Sequence, residues 1–366
     1  MAVTKKLECY DNRAAIAHKG IKLREQRKDI AEKIEKEFKL SSVASRILAA
    51  RGFEPNADLK NYLAPTLKNG LPDPRGLKNL KEACALIREV ADSDGKIAVC
   101  CDFDVDGLSG GAELHHFLRS CGIDSKVFVP DRFTHGYGLN SDMVKEIARD
   151  GFSLLITVDY GTTNEKELSE ARAAGLKAIV IDHHHVGDHN PPCDVFINPN
   201  QKGCGFADAT LCAAGLVWYL LVGLSKALPQ AKSISVKDYL DLAALGTICD
   251  MVPLRGANRV IAKRGLEMLE RTARPGLMAL KNVAGIQKEV QCSHVSFGIG
   301  PRLNAAGRMI HGELVIELLT TEDSRKAEKL ARKLNKLNQE RQDTEARIKE
   351  ISVKRVQAGE ELPWGI

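Results

Sequence analysis

Four short apolar runs that alternate with helical patterns constrain the fold of this chain more than any other feature. The runs occupy residues 97–101, 127–129, 154–158 and 178–181, and helical patterns cover residues 108–119 and 164–174. Strands that are apolar on both faces are typical of parallel sheets covered by helices on either side. The pattern therefore predicts an α/β fold with a doubly wound parallel sheet, whose ligands would collect at the carboxyl ends of the strands.

The rest of the chain has helical patterns. Residues 22–38 predict an exposed helix of mixed charge, and residues 207–285 predict a helical stretch. Over residues 322–357, apolar residues recur at intervals of three, four and seven residues, which predicts one long helix that packs against the rest of the same chain. A coiled coil between two copies of the chain is the alternative. We expect four parts: an N-terminal helical region (1–90), the sheet domain (91–265), a helical segment (266–320) and a connecting helix (321–358).

Composition narrows the classes of function. The net charge of +5 is compatible with a nucleic-acid partner without indicating one, and the 5% aromatic content argues against an extended base-stacking surface. Ten cysteines include no CxxC pair, which argues against a structural zinc site and indicates a reducing compartment. Because residues 1–6 lead into polar sequence and no apolar run is long enough to span a bilayer, we expect a cytoplasmic protein without a membrane partner.

Acidic residues and histidines follow the predicted strands. In chain order they are Asp102, Asp104, Asp106, Asp159, Asp182, His183 and His184, and Asp250 follows a later apolar helix. Buried carboxylates that gather at one sheet edge are costly unless cations neutralise them. Oxygen ligands with one or two imidazoles suit Mn²⁺ or Mg²⁺, and two such ions can hold the attacking water and the leaving oxygen of a phosphoryl displacement. The set therefore predicts hydrolysis of a phosphate ester or phosphoanhydride.

Each part of this set also has a simpler interpretation. The DxDxDG text at residues 102–107 occurs in calcium loops, although the remaining acids of such a loop are missing here. Strand alternation would place its three carboxylates on one side only if the first strand continues through them. Asp159 could cap a helix, and His184 could be an ordinary polar residue with satisfied hydrogen bonds. The ordered combination favours the metal site.

The same residues resemble the four ordered motifs of the DHH phosphoesterases, namely Asp104-Val105-Asp106-Gly107, Asp159, Asp182-His183-His184 and Gly246-Thr247-Ile248-Cys249-Asp250. Three further segments are similar to the RecJ branch of that family: residues 132–139 (RFTHGYGL), 198–204 (NPNQKGC) and 298–309 (GIGPRLNAAGRM). The likeness extends from residue 42 or so to residue 350, and its last segment is highly specific.

The resemblance implies a role for each matching residue. The ligands of two Mn²⁺ or Mg²⁺ ions would be Asp104, Asp106, Asp159, His183 and Asp250, with Asp159 between the ions and Asp102 as a further ligand or an outer acid. Asp182 would orient a histidine, and His184 would face the scissile phosphate. Arg302 and Arg308 would hold phosphate oxygens beside Asn304, and the alternative for both arginines is pairing with acids of the protein.

The resemblance also implies an enzyme that degrades single-stranded DNA from its 5′ end in repair and recombination, with a single-strand-binding protein or a helicase as candidate partners. Three alternatives stay open: a phosphodiesterase of short oligonucleotides or cyclic dinucleotides, an inorganic pyrophosphatase, and an inactive fragment or scaffold. The family's DHHA1 domain and its DNA-binding OB-fold have no counterpart in the sequence. We therefore expect a truncated core that binds metal but has weak or no processive activity.

Overall fold

The chain divides into two units, residues 1–65 and 66–366, and the computed structural model describes residues 24–131, 136–287, 289–309 and 311–357. The described part of the smaller unit, residues 24–65, contains the helices α1 (Lys28–Phe38), α2 (Ser42–Ala50) and α3 (Ala57–Leu63). Their apolar side chains fill a core of its own. Helix α1 begins later than predicted, because the backbone of Arg27 is not helical. The Arg27 guanidinium pairs with Glu54.

A five-stranded parallel sheet forms the centre of the larger unit. Its strands are β1 (Ile97–Cys101), β2 (Ser125–Phe128), β3 (Leu154–Val158), β4 (Lys177–Ile181) and β5 (Val195–Ile197). They lie in the order β2-β1-β3-β4-β5, and every neighbouring pair is parallel. The order reverses between β1 and β3, and the carboxyl ends of strands at such a reversal are where ligands bind in folds of this class. The sequence pattern missed β5, because three apolar residues are too few to show a period.

Helices cover both faces of this sheet. The described helices of the larger unit, only some of which lie on the sheet, are α4 (Leu80–Asp92), α5 (Val105–Ser120), α6 (Ser141–Arg149), α7 (Glu165–Ala173), α8 (Ala213–Ala227), α9 (Leu240–Cys249), α10 (Gly256–Glu270), α11 (Pro275–Val283), α12 (Cys292–His294), α13 (Gly300–Met309), α14 (Glu313–Thr320) and α15 (Ser324–Gln357). Short 3-10 turns cover Pro74–Gly76, Pro229–Ser233 and Val236–Tyr239, and a π-helix covers Val295–Ile299. Apolar side chains of α6 and α7 pack on one face, and those of α4, α5 and α8 pack on the other. The predicted doubly wound architecture is therefore confirmed.

Helices α5 and α9 lie in direct contact. A Cβ atom at Gly246 of α9 would be 2.3 Å from Asp106 Oδ1 of α5 and 2.6 Å from Ala214 Cβ of α8. Only glycine therefore allows α9 to approach its neighbours this closely. Because α5 begins just after β1, and the contact at Gly246 joins the last turns of α9 to the first turn of α5, both helices reach the carboxyl edge of the sheet.

The predicted long helix is present as α15. Ala327, Leu330 and Leu334 are buried in its first half, which packs against α11 and α13. The second half is exposed, including Ile348 and Val356. Among the described helices, none combines the length and the apolar character that crossing a bilayer requires.

A buried ion pair lies near the start of α9. Asp241 is 2% exposed, and its Oδ1 is 3.3 Å from Nε of Arg274, while Thr272 Oγ1 donates to Oδ2 at 2.9 Å. Burial raises the pKa of Asp241, and the Arg274 guanidinium opposes that shift. The pair is thus a buried charge that depends on its partner.

We expect Arg274→Ala to lower the free energy of unfolding by about 3 kcal/mol, because it leaves the Asp241 carboxylate buried without its cation. Urea denaturation should show a lower midpoint with an unchanged slope. The matched control is Arg88→Ala, which removes an exposed pair with Asp92 and should change stability by less than about 0.5 kcal/mol. Equal shifts in the two variants would contradict the structural role of the buried pair.

Candidate metal centre

Asp104 and Asp106 are positioned by the first turn of α5. Strand β1 ends at Cys101, so the alternation that would have aligned these acids along a continuing strand does not occur. Asp104 instead caps α5, and its Oδ1 accepts hydrogen bonds from the backbone N–H groups of Asp106 at 2.9 Å and Gly107 at 3.1 Å. The positive end of the helix dipole favours carboxylates at this place. A helix start, rather than a strand, therefore brings the two acids together.

Asp106 is almost fully buried and is held by a second helix as well. Its Oδ2 and Oδ1 accept hydrogen bonds from the backbone N–H groups of Ala213 at 2.7 Å and Ala214 at 2.9 Å, where α8 begins. Burial raises the pKa of Asp106, although the nearby His183 and the N–H group of Ala214 oppose the shift. The carboxyl group is thus fixed in place before any ligand arrives.

Asp159 follows β3 in a strained backbone conformation. Its φ is +71°, in the left-handed region that non-glycine residues rarely adopt. It is 3% exposed, and burial, followed by the charges of Asp106 and Asp104, raises its pKa well above the ordinary value. Strain of this kind persists where the surrounding structure enforces it, which is typical of functional sites.

Asp102 and Asp250 complete the acidic set. Asp102 lies directly after β1, and Asp250 lies at the end of α9. Burial raises the pKa of each to about 7, with Asp104 adding to the shift of Asp102 and Asp106 to that of Asp250. Both carboxyl groups therefore resist ionisation unless a positive charge is close.

His183 lies among these acids. Its Nε2 is 3.2 Å from Asp159 Oδ1, 3.7 Å from Asp250 Oδ2 and 3.8 Å from Asp106 Oδ2. Residues from β3, β4, α5 and α9 thus meet around one imidazole, although they are far apart in the sequence.

Asp182 holds the histidine segment. Its Oδ1 lies 2.7 Å from His184 Nδ1 and accepts the backbone N–H of His183, while Oδ2 accepts both the backbone N–H and the hydroxyl of Thr162. Burial alone would raise the pKa of Asp182, but the hydrogen bonds from His184 and Thr162 outweigh it and lower the pKa. This carboxylate stays ionised and orients His184.

Two asparagines that sequence reasoning left without a role support the same segment. Asn198 Nδ2 donates to the carbonyl of His184 at 2.9 Å, and Asn200 Nδ2 donates to the carbonyl of His183 at 2.7 Å. Both belong to the NPNQ text that follows β5. Its position after a strand was the available signal, but the strand itself was too short to be predicted.

The donor atoms fit divalent cations that prefer oxygen ligands. Three groups have ligand atoms within 4.8 Å of one another: Asp159, His183 and His184; Asp106, His183 and Asp250; and Asp102, Asp104 and Asp159. Asp159 and His183 each belong to two groups, and of the two only the Asp159 carboxylate has a pair of oxygens that could contact neighbouring ions. Carboxylates with one or two imidazoles suit Mn²⁺ or Mg²⁺.

Helix α13, which carries the GPRLNAAGRM text, lies beside the centre. A Cβ atom at Gly307 would be 2.6 Å from the carbonyl of Phe103, and one at Gly300 would be 2.6 Å from Cys249 Sγ. Arg302, however, donates to Asn335 Oδ1 at 2.9 Å and to two backbone carbonyls, those of Gly298 and Val283. Its described contacts thus tie helices together, and they involve carbonyl and amide oxygens rather than acids.

The structure describes fewer contacts for Asn304, Arg308 and the GYGL segment. Asn304 is partly buried on α13, and the side chain of Arg308 lies outside the described residues, as do residues 132–135 of the GYGL segment. Tyr137 of that segment is described, and its hydroxyl donates to the carbonyl of Asp159 at 3.3 Å. The segment therefore reaches the metal centre through Tyr137.

Comparison with known proteins places these features in a family. The model of the DHH family, N-terminal domain, matches residues 96–247. The single-stranded-DNA-specific exonuclease RecJ of Bacillus subtilis is 34% identical over 330 residues, which is 90% of this chain and 41% of that protein. The chain thus spans about two fifths of the length of this relative.

Solved structures give the same result. The crystal structure of exonuclease RecJ bound to manganese is similar with a TM-score of 0.69 and 36% identity, over 74% of this chain and 68% of that one. The structure of RecJ from Thermus thermophilus in complex with Mn²⁺ has a TM-score of 0.75 and 32% identity, over 89% of this chain and 46% of that one.

We expect the metal-free chain to be more stable at pH 5.5 than at pH 8. Asp102 and Asp250 have a pKa of about 7 in the folded chain, against about 4 when unfolded. The stability they contribute is therefore present at low pH and is lost as the pH rises through 7 or so, when the buried carboxyl groups ionise. Mn²⁺ should offset this loss and raise the melting temperature by about 5 °C or more at pH 8, and by less at pH 5.5.

Thermal melts with Mn²⁺ or EDTA at the two pH values measure this effect. Asp159→Asn should reduce the response to Mn²⁺, whereas Asp142→Asn, at an exposed acid of α6, should leave it unchanged. A Mn²⁺ response that is equal at both pH values, or equal in both variants, would argue against the acidic cluster as the binding site.

Proposed function

Because this chain belongs to the RecJ family of DHH proteins, we propose that it hydrolyses phosphodiester bonds of single-stranded DNA from the 5′ end with two Mn²⁺ or Mg²⁺ ions. The observation that carries the proposal is the position of the His183 imidazole among the carboxylates of Asp106, Asp159 and Asp250. The names of the relatives support the substrate, and their Mn²⁺ complexes support the cofactor. The 5′ polarity follows from the resemblance alone.

Asp104, Asp106, Asp159, His183 and Asp250 would hold the ions, and Asp102 would be a further ligand or an outer acid. When bound, two divalent ions would neutralise the charge that develops on the phosphate during an in-line displacement. Asp106 and Asp104 are suited to this task because backbone N–H groups already fix their oxygens. Asp159 belongs to two of the ligand groups, which supports a place between the ions.

His184 would face the scissile phosphate. Its Nδ1 points to Asp182, so its Nε2 is directed away from that carboxylate, and half of the side chain is exposed. The hydrogen bond to Asp182 raises the pKa of His184, while burial opposes the shift. A proton held at Nε2 could then be donated to a phosphate oxygen or to the leaving oxygen.

Arg308 and Asn304 are proposed to bind phosphate oxygens from α13, which lies against Phe103. Arg302 was predicted to share that role, but its hydrogen bonds to Asn335, Gly298 and Val283 favour a role in holding α13 to its neighbours.

We also propose that residues 91–265 form the catalytic domain, which the match of the family model to residues 96–247 supports. A single-strand-binding protein or helicase as partner is a proposal from the resemblance, and a cytoplasmic location is a proposal from the sequence analysis.

Incubation with Mn²⁺ and a 5′-phosphorylated single strand labelled at its 3′ end tests the activity. We expect slow shortening from the 5′ end with release of mononucleotides, because the chain is predicted to have weak processive activity, and no cleavage of a blunt duplex. Asp159→Ala should lower the rate more than about a hundredfold, since it removes a shared ligand, whereas Asp142→Ala should not. Cleavage of dinucleotides but not of long strands would replace this proposal with a short-oligonucleotide phosphodiesterase.

Asp182→Asn tests the orientation of His184. We expect a decrease in kcat of about tenfold to a hundredfold, the usual cost of removing a residue that orients an active-site histidine. The rise in melting temperature with Mn²⁺ should largely persist, because the main ligands remain. Asp194→Asn is the matched control, since Asp194 also accepts a backbone N–H, that of Ala178, away from the histidines. Equal losses in both variants would indicate a general folding defect.

A further inference from the structure

The backbone of Asp159 turns into the left-handed region directly after strand β3, with a φ of +71°. Strand residues have negative φ, and left-handed residues usually lie just after a helix, where the chain turns. Aspartate tolerates this region better than most residues, but it still costs free energy. Because Asp159 belongs to two of the groups of candidate ligands, the contacts that keep its backbone in this conformation affect the whole metal centre.

Two hydrogen bonds hold the peptide groups on either side of Asp159. Its backbone N–H donates to the carbonyl of Ile181, at the end of β4, at 3.0 Å. Its own carbonyl accepts the hydroxyl of Tyr137 at 3.3 Å, and among the described residues this hydroxyl is its one donor. Each peptide group is planar, so fixing both groups fixes φ and ψ at Asp159, and with them the direction of its Cβ.

The direction of this Cβ decides where the carboxylate lies. Oδ1 of Asp159 is 3.2 Å from Nε2 of His183, and the side chain is almost fully buried beside the other acids of the centre. Like charges repel a carboxylate in such a place, so an unrestrained backbone would relax and move it away from them. A hydrogen bond to the carbonyl of the same residue opposes that movement.

Tyr137 can act as a restraint because the segment that follows it is fixed. Leu139 is buried in the core on one face of the sheet, and its carbonyl accepts the side-chain amide of Asn164 at 3.1 Å. A Cβ atom at Gly138 would be 3.2 Å from Oδ1 of the same asparagine. Asn164 lies between β3 and α7, so the segment and the turn that carries Asp159 are joined at two points.

Two other aromatic rings place the ring of Tyr137. Its centroid is 6.3 Å from that of Phe103, which follows β1, and 6.4 Å from that of Tyr160, which follows β3, and both pairs are edge-to-face. Edge-to-face pairs at such distances are favourable. The side chain is nevertheless 56% exposed, unlike that of a core residue. Its described contacts thus belong to the two strand ends that carry the candidate ligands.

We propose that Tyr137 is a positioning residue, whose hydroxyl holds the Asp159 backbone in the conformation that directs the carboxylate into the metal centre. This role deepens the proposed function and rests on its metal centre. The hydroxyl carries the task, since it alone makes the hydrogen bond to Asp159. Loss of the bond should loosen a ligand that belongs to two groups, and should therefore weaken cation binding without changing the affinity for the strand.

Tyr137→Phe tests the role, because it removes the hydroxyl and keeps the ring. By isothermal titration calorimetry we expect the Kd for Mn²⁺ to rise about fivefold, the equivalent of one net hydrogen bond. The matched control is Tyr219→Phe. The Tyr219 hydroxyl also donates to a backbone carbonyl at 3.3 Å, that of Pro72, and Pro72 makes no described hydrogen bond to a candidate ligand. This variant should keep the Kd of wild type.

Turnover gives a second readout. With a saturating concentration of the 5′-phosphorylated single strand, Tyr137→Phe should need about five times more Mn²⁺ than wild type to reach half of its maximal rate. Excess Mn²⁺ should restore most of kcat, because the ligand itself is still present. KM for the strand, measured in excess Mn²⁺, should equal that of wild type. Thermal melts without metal verify that both phenylalanine variants fold.

A Kd for Mn²⁺ that is unchanged in Tyr137→Phe, or that rises equally in Tyr219→Phe, would overturn the role of the hydroxyl. A change confined to KM for the strand would also overturn it, and Tyr137 would then contact the substrate instead. If wild type binds Mn²⁺ but cleaves no strand, the proposed hydrolysis is wrong, yet the Kd values still decide the role of Tyr137. A rise in Kd in Tyr137→Phe alone supports that role in either case.

Discussion

Repulsion among carboxylates held away from water is the interaction on which the rest of this structure depends. Asp106 and Asp159 are nearly fully buried beside Asp104 and Asp102, and such groups are costly to ionise without a partner. The fold meets this cost in different ways. Asp106 and Asp104 receive backbone N–H groups from helix starts, whereas the Asp159 carboxylate has the His183 imidazole at 3.2 Å and several other carboxylates around it. The negative charge that remains without a partner makes the centre attract cations.

Rigid elements hold each acid in its place. Helix α5 begins with Asp104 and Asp106, α9 ends at Asp250, and the two pack together at Gly246 without room for a side chain. The other part of α9 is secured by the buried pair of Asp241 and Arg274. The geometry of the acidic cluster is therefore built from helix packing, and a change in the packing of α9 would move Asp250 relative to α5.

The sequence predicted the sheet and the acidic cluster because both depend on local patterns. Continuous apolar runs identified four of the strands, and acids and histidines after the strands identified residues that gather in the candidate metal centre. Strand β5 and the asparagines after it, Asn198 and Asn200, were not assigned, since their role depends on carbonyl groups that lie next to them only in the folded chain. Arg302 shows the same limit: its motif suggested phosphate, but its hydrogen bonds are to Asn335 and two carbonyls. Nor could spacing show that Asp104 begins a helix rather than extending a strand.

The support of the histidine segment has a consequence for the speed of ion exchange. Asp182 accepts N–H groups from one side of His183 and His184, and Asn198 and Asn200 bind their carbonyls from the other. The backbone of the segment is thus ordered by the protein alone, and no chain rearrangement has to accompany the arrival of a cation. The slow step of loading is then the loss of water from the ion. Mg²⁺ sheds its hydration shell reluctantly, so Mn²⁺ should enter sooner than Mg²⁺ at the same concentration.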